Sequence, residues 1–279
     1  MERLLVRILR FLRARKYTYF PADISVGGVT VTDLHPLGGF HRLGVTKAGR
    51  LSFSGNCDGR RVKVYSGYSA AQNLLRKQVQ DIKFENFSFP DIIAIDDSLV
   101  VEKWIEGSPV SKLNASDRSR AERIVAGFLE ESRSRRDILT ISERHPTAFC
   151  YFRDYLVARI GVWRHWGPVA DFLSLWEMEY VKYSGALPLF LSHPDLSAAN
   201  LMQDTLTGKI VIVDNELLGV GHGWILDARN SLLGADAQAN LSTQVPAEFL
   251  EKCWRLRLLG SALDAGDFSH ANYLCTSST

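Results

Sequence analysis

The chain has 279 residues, of which 46% are hydrophobic and 23% are charged. This length and composition are ordinary for a globular protein with a sizeable core, built either as one large domain or as two lobes. The net charge of +2 gives no support to a nucleic-acid partner, because nucleic-acid-binding domains usually carry a marked basic excess. We also find no stretch near the roughly 20 apolar residues that a membrane-spanning helix needs.

The cysteines and the N-terminus indicate the cellular setting. Cys57, Cys150, Cys253 and Cys275 lie far apart and form no Cys-x-x-Cys pair, which argues against a zinc site and a disulfide framework. The N-terminus lacks the apolar core and the small-residue cleavage site of a secretory signal. We therefore expect a reduced, cytoplasmic protein.

Residues 1–16 predict a basic amphipathic helix, in an N-terminal segment that we place at 1–20. Leucine and isoleucine recur at helical spacing on one face, and six basic residues stand against one acid, Glu2. Two interpretations remain open. Either the apolar face packs on the protein and leaves the arginines in water, or the helix lies on an anionic membrane surface, at the inner face of the membrane.

Residues 22–66 predict strands separated by turns, with Gly38 and Gly39 at one of the breaks. Residues 61–65 alternate between polar and apolar types, which places Lys63 between two valines on a strand. Taken alone, a strand lysine is usually a solvated side chain, since half of a strand's residues face outward.

Helical spacing of apolar residues predicts a helix at 68–82, and two apolar strand-like runs follow within 91–107. Further helices are predicted at 115–140, at 147–184, where a Gly-Pro pair splits the pattern, and at 246–265. The aromatic residues of these later helices recur at helical spacing. We interpret them as core rather than as a cofactor site.

The strongest chemical signal is His193-x-Asp195 followed by Asn200, and then an apolar run at 210–213 that ends on Asp214. Phosphoryl transfer from ATP needs an acid beside the attacking hydroxyl and oxygen ligands for magnesium. Asp195, Asn200 and Asp214 could supply both. The intervening residues suit a short hairpin. Its predicted turn residues are Asp204, Thr207 and Gly208.

This motif pair resembles the catalytic loop and the metal-binding aspartate of the protein-kinase-like superfamily. It is most similar to those of aminoglycoside phosphotransferases, choline kinases and bacterial sugar or lipopolysaccharide-core kinases. The resemblance implies an α+β fold of two lobes: a small antiparallel β lobe with one helix at 21–105, and a larger, mostly α lobe at 106–279. It also implies ATP and Mg²⁺ as cofactors. The acceptor would be a hydroxyl of a small molecule, such as a sugar or a saccharide, either free or lipid-linked.

The resemblance assigns roles around the predicted catalytic loop. Asp195 would be catalytic and would orient or deprotonate the acceptor hydroxyl. Asn200 and Asp214 would hold magnesium. His193 would brace the loop by hydrogen bonding, and Glu216 would support the metal shell or a loop.

The resemblance also assigns contacts to the nucleotide. Lys63 would bind the α- and β-phosphates, and Gly38 and Gly39 would cover them. The hinge segment from Glu102 to Trp104 would bind adenine through its backbone. The Trp104 ring would either pack within the protein or both pack there and contact the nucleotide.

Three features depart from the protein-kinase pattern. The loop at 38–44 is glycine-rich, but it is not Gly-x-Gly-x-x-Gly. Those kinases have a helix glutamate that pairs with the strand lysine, but the predicted helix at 68–82 contains none, and Gln78, Asp81 and Glu85 are the candidates to replace it. Two residues after the predicted catalytic aspartate stands Ser197 rather than a basic residue, which favours a small-molecule acceptor. A pseudokinase that scaffolds a partner and a protein kinase are the alternative functions.

Overall fold

The computed structural model describes residues 22–37, 51–67, 69–84, 87–134, 151–185, 187, 189–193, 196, 198–223, 225 and 246–277. Several residues singled out by the sequence lie outside this described part. They are residues 1–16, Gly38, Gly39, Glu85, Asp195 and Ser197.

The N-terminal lobe is built on a six-stranded antiparallel sheet in the order β1-β2-β3-β4-β6-β5. Short turns fit this topology: Asp58 and Gly59 join β3 to β4 with positive φ angles of 50° and 74°, as a two-residue hairpin turn requires. The strands are β1 (Asp23–Val26), β2 (Val29–Pro36), β3 (Ser52–Cys57), β4 (Arg60–Ser66), β5 (Ile92–Ile95) and β6 (Leu99–Lys103).

The two faces of this sheet differ in chemistry because successive strand residues point to opposite sides. Val62 and Val64 of β4 and Val101 of β6 are buried in an apolar cluster on one face. Lys63 and its register partner Glu102 therefore point to the other face. The alternation predicted for residues 61–65 is thus present, and it turns Lys63 away from the valine cluster.

One helix, α1 (Ala70–Gln80), lies in the described part of the N-terminal lobe and packs on the face that carries Lys63. The hydroxyl of Ser69 caps it by accepting from the Gln72 N–H at 3.2 Å, which satisfies one otherwise unpaired donor. Leu75 and Val79, one helical turn apart, are buried in the large core of the C-terminal part. The helix therefore links the sheet to the rest of the protein.

The C-terminal part is mostly helical, as predicted. Its main core includes the fully buried side chains of Phe128, Leu156, Trp176 and Phe249, one from each of four helices. Among the described aromatic residues of the predicted helices, Tyr155, Phe172 and Trp176 are buried in this core, and Trp163, Trp166 and Tyr180 are partly buried and pack against it. The helices are α2 (Ala115–Ser134), α3 (Tyr151–Ile160), α4 (Gly167–Ser184), α5 (Ala247–Ala265) and α6 (Phe268–Thr276).

Five short strands complete the C-terminal part and form two small antiparallel sheets, ordered β10-β9-β7 and β11-β8. They are β7 (Gly107–Pro109), β8 (Phe190–Ser192), β9 (Leu201–Asp204), β10 (Ile210–Ile212) and β11 (Gly219–Gly221). The fold class predicted from the sequence is confirmed: a small antiparallel lobe with a helix precedes a helical lobe. The segment boundaries proposed at 20/21 and 105/106 stay predictions. None of the helices described is long and apolar enough to cross a membrane.

Candidate active site

The hairpin β9–β10 brings Asn200 and Asp214 together. Asn200 precedes β9 and Asp214 follows β10, and antiparallel pairing places these two strand ends side by side. The N–H of Val213 donates to the carbonyl of Asn200 at 2.9 Å. The two predicted metal ligands therefore lie on adjacent backbone segments.

The turn of this hairpin uses the three residues predicted for it. The Thr207 hydroxyl donates to Asp204 Oδ2 at 2.7 Å, and the Gly208 N–H donates to the Asp204 carbonyl at 2.8 Å. Gly208 has a φ of 67°, which glycine adopts without a steric cost. The bond from Thr207 and backbone donors lower the pKa of Asp204, so the turn keeps a charged acceptor.

His193 holds the segment before Asp195 against the segment before Asp214. Its imidazole is buried, and Nε2 lies 3.0 Å from the carbonyl oxygen of Val213. This is the type of contact expected for a residue that braces the loop. The bond links β8 to the end of β10.

Asp214 combines an unusual backbone with an accessible side chain. Its φ and ψ are 62° and 44°, in the left-handed region that costs most residues about 1–2 kcal/mol. Its side chain is 55% exposed. Strained backbone is concentrated at functional sites, and an exposed carboxylate there is open to a ligand.

Lys63 meets this acid from the opposite lobe. Its Nζ lies 2.5 Å from Asp214 Oδ1 and 3.2 Å from Glu216 Oε1. The lysine and Glu216 are nearly buried, with side-chain exposures of 12% and 11%. Burial by itself would lower the pKa of Lys63, but the carboxylates of Glu216, Asp214 and Glu102 outweigh it and raise this pKa. The ammonium group is therefore charged at neutral pH.

The helix α1 carries Arg76 on the face where the resemblance implies a glutamate. Nε of Arg76 donates to Glu102 Oε1 at 2.9 Å, and Nη2 of Arg76 lies 2.8 Å from the same oxygen. The Tyr65 hydroxyl donates to the same oxygen at 2.7 Å. Burial and the charge of Glu102 raise the pKa of Tyr65, so the phenol remains a donor. All three side chains are buried.

Lys63 forms its hydrogen bonds with Asp214 and Glu216, and not with Gln78 or Asp81, two of the candidates to replace the helix glutamate. The third candidate, Glu85, lies outside the described residues. One signal in the sequence pointed to the Arg76 pair. Glu102 directly follows the apolar strand run 99–101, and a charged residue that is buried there needs a partner.

The predicted adenine segment has much of its backbone engaged within the protein. The N–H of Lys103 donates to the Asp91 carbonyl at 2.9 Å, and the N–H of Trp104 donates to the Arg61 carbonyl at 3.2 Å. The Arg61 guanidinium stacks over the Trp104 ring, with Cζ of Arg61 3.9 Å from the ring centroid. Packing of the indole is therefore observed, and the adenine-binding role of this segment stays a prediction.

The residues present fit a magnesium ion held together with phosphates. Asn200 and Asp214 offer oxygen ligands, which magnesium prefers. In ATP-dependent enzymes magnesium is commonly held by one or two protein ligands together with the substrate phosphates. In the described ranges no group of three or more His, Cys, Asp or Glu side chains could hold a metal alone. A site completed by the nucleotide needs no such group.

No protein-family model and no curated protein matches the chain. Solved structures do. A thermostable mutant of aminoglycoside phosphotransferase APH(4)-Ia matches with a TM-score of 0.53 and 14% identity, over 88% of this chain and 92% of that one. The gentamicin complex of APH(2")-IIa matches with a TM-score of 0.54 and 13% identity, over 89% and 92%. The GDP and kanamycin complex of APH(2")-IIia matches with a TM-score of 0.52 and 14% identity, over 90% of this chain and 92% of that one. The chain therefore has a two-lobed α+β fold similar to that of aminoglycoside phosphotransferases.

Proposed function

We propose that the chain is an ATP- and Mg²⁺-dependent phosphotransferase that moves the γ-phosphate of ATP to a hydroxyl of a small molecule. The observation that carries this proposal is the meeting of Lys63 with Asp214 at 2.5 Å, across 151 residues of chain. A buried cation beside an exposed acid suits a site where phosphate charge is neutralised and a metal is held. The fold supports the proposal, since one matching structure is a ternary complex of APH(4)-Ia with ADP and hygromycin B.

Lys63 is proposed to neutralise charge on the α- and β-phosphates, because it is charged and held beside Asp214, one of the two proposed metal ligands. Asn200 and Asp214 would hold magnesium, whose positive charge would be supplied to the phosphate oxygens. We place adenine at the segment from Glu102 to Trp104. Gly38 and Gly39, outside the described residues, would cover the phosphates.

Asp195 is proposed to orient the acceptor hydroxyl and to accept its proton. It lies outside the described residues, but the chain on its N-terminal side is fixed by His193, which bonds the carbonyl just before Asp214. Catalysis would rest mostly on positioning and electrostatic stabilisation.

The proposed acceptor is a sugar or saccharide. Support comes from the matching structures that were solved with kanamycin and gentamicin. Ser197, where protein kinases have a basic residue, favours a small acceptor over a protein.

The test is ADP release by the purified chain with ATP, magnesium and a panel of aminoglycosides, choline-like alcohols, sugars and lipopolysaccharide-core saccharides. We expect acceptor-dependent ADP release and a phosphorylated product for at least one class. Nucleotide binding with no turnover across the panel would favour the pseudokinase, and transfer to protein alone would favour a protein kinase. The carboxylate partners of Lys63 argue for an enzyme, since the lysine is held although the helix glutamate is missing.

A further inference from the structure

We infer that Glu216, two residues after the predicted metal ligand Asp214, is the positioning residue that aims Lys63 at the nucleotide phosphates. The inference rests on the proposed function and deepens it. It assigns to the C-terminal lobe a task that the resemblance gives to a helix of the N-terminal lobe.

The helix α1 does not hold the lysine. The charged side chain that it directs toward this face of the sheet is Arg76, which has the same sign as Lys63. Arg76 is also committed elsewhere, because its guanidinium binds Glu102 and donates to the Pro90 carbonyl at 2.6 Å. Like charges repel, so this position favours Lys63 pointing away from the helix.

Glu102 is near Lys63 but is already occupied. The two residues are register partners on β4 and β6. The Oε1 atom of Glu102 lies within 2.9 Å of donors from both Arg76 and Tyr65. Glu102 therefore contributes negative charge to the surroundings of the lysine, while Lys63 forms its hydrogen bonds with Asp214 and Glu216.

Of those two acids, Glu216 is the one suited to keep the lysine in place during a reaction. Asp214 is the more exposed, at 55% against 11%, and its carboxylate is the one proposed to bind magnesium. A carboxylate that binds a metal has less charge to offer a lysine. Glu216 is nearly buried, so its contact with Lys63 is poorly screened by solvent.

The backbone around Glu216 is held firmly. Glu216 lies in a single helical turn, Asn215–Leu217, that directly follows Asp214. The Asn215 side chain donates to the Ile212 carbonyl at 2.9 Å, and the Leu218 N–H donates to the Asn215 carbonyl at 3.1 Å. The turn is thereby fixed to the end of β10.

The pair Lys63–Glu216 joins β4 of the N-terminal lobe to the segment after β10 of the C-terminal lobe. The lysine is therefore aligned when the two lobes meet, and a shift of α1 alone leaves that pair intact. A site built in this way is set by lobe closure rather than by the position of a helix.

The experiment compares Glu216→Gln with Glu177→Gln, a matched change on α4, where Glu177 forms an exposed pair with Arg153. We expect Glu216→Gln to weaken binding of AMP-PNP without magnesium, measured by calorimetry, by about 10-fold. Turnover should fall by about 10–100-fold, because a small misplacement of a positioning group is costly. The magnesium concentration at half-maximal turnover should be unchanged, and Glu177→Gln should match the wild type.

A double-mutant cycle with Lys63→Met separates positioning from a structural role. If Glu216 acts through Lys63, adding Glu216→Gln to Lys63→Met should cause no further loss of AMP-PNP affinity. Additive losses would overturn the inference. So would a raised magnesium requirement with unchanged AMP-PNP affinity, which would make Glu216 a metal ligand.

A shorter acid provides a second variant in case Glu216→Gln does not fold. Glu216→Asp keeps the charge and loses one methylene of reach, so we expect weaker AMP-PNP binding in the same direction. Unchanged AMP-PNP affinity in this variant would overturn the inference and leave the proposed function standing. Failure of the wild type to bind AMP-PNP would overturn the proposed function, and with it the inference.

Discussion

Replacing Arg76 by methionine should destabilise the protein far more than breaking an ion pair on its surface. The change keeps an unbranched apolar side chain and removes the guanidinium. It deletes two contacts with Glu102, at 2.9 and 2.8 Å, and one with the Pro90 carbonyl, at 2.6 Å. Glu102, which is 1% exposed in the wild type, is then left with the Tyr65 hydroxyl as a donor.

The structure allows the size of this effect to be bounded. Breaking a buried ion pair from one side typically costs about 3–5 kcal/mol, because the other charge stays buried without its partner. One term acts in the opposite direction: Nη1 of Arg76 is buried with no hydrogen-bond partner among the described residues, and losing such a donor relieves about 1–3 kcal/mol. Taking the middle of each range, we expect a net loss of about 2 kcal/mol in the free energy of unfolding.

Urea denaturation followed by circular dichroism measures this loss. The matched control is Arg153→Met, which breaks a 3.3 Å pair with Glu177 whose side chains are 50% and 43% exposed. Such surface pairs contribute about 0.2–1 kcal/mol. Removing both buried charges, with Arg76→Met and Glu102→Met together, should cost less than the sum of the single changes. If Arg76→Met costs no more than Arg153→Met, the buried pair does not hold α1 to the sheet.

Four further expectations concern the site, the core and the N-terminus. Asp195→Asn should keep the fold and nucleotide binding but lower turnover by about 10²–10⁴-fold, as removal of a general base does; a few-fold change would refute the assignment. Asp214→Asn should raise the magnesium concentration needed for turnover, because a neutral ligand replaces an anionic one; an unchanged magnesium titration would exclude Asp214 as a ligand. Burial lowers the pKa of His222 in the folded protein. As the pH falls below about 6.5, this histidine therefore takes up a proton more readily in the unfolded chain than in the folded one, and the folded state loses stability. In urea titrations between about pH 7 and pH 5.5, the free energy of unfolding should fall less steeply with pH in His222→Gln than in the wild type. An equal dependence on pH in the two proteins would contradict this expectation. Deleting residues 1–16 should abolish salt-sensitive sedimentation with anionic vesicles if that segment is a membrane arm; equal pelleting of both chains, or none, would favour the alternative that it packs on the protein.

The sequence by itself determined the local parts of the site. Alternation in residues 61–65 indicated the strand of Lys63, and turn residues between two apolar runs indicated the hairpin β9–β10. A hairpin brings its own ends together whatever the rest of the chain does. The proximity of Asn200 and Asp214 could therefore be predicted from the spacing of a short segment.

Only the tertiary structure decided what holds Lys63 and α1. The lysine meets Asp214 and Glu216 from 151 and 153 residues away, and Arg76 meets Glu102 on a strand that follows after a long connection. A sequence shows that a buried charge needs a partner, but not which of the many carboxylates will lie beside it. That choice depends on how the sheet, the helix and the C-terminal lobe pack, because long-range contacts form only when apolar faces from distant segments are buried together.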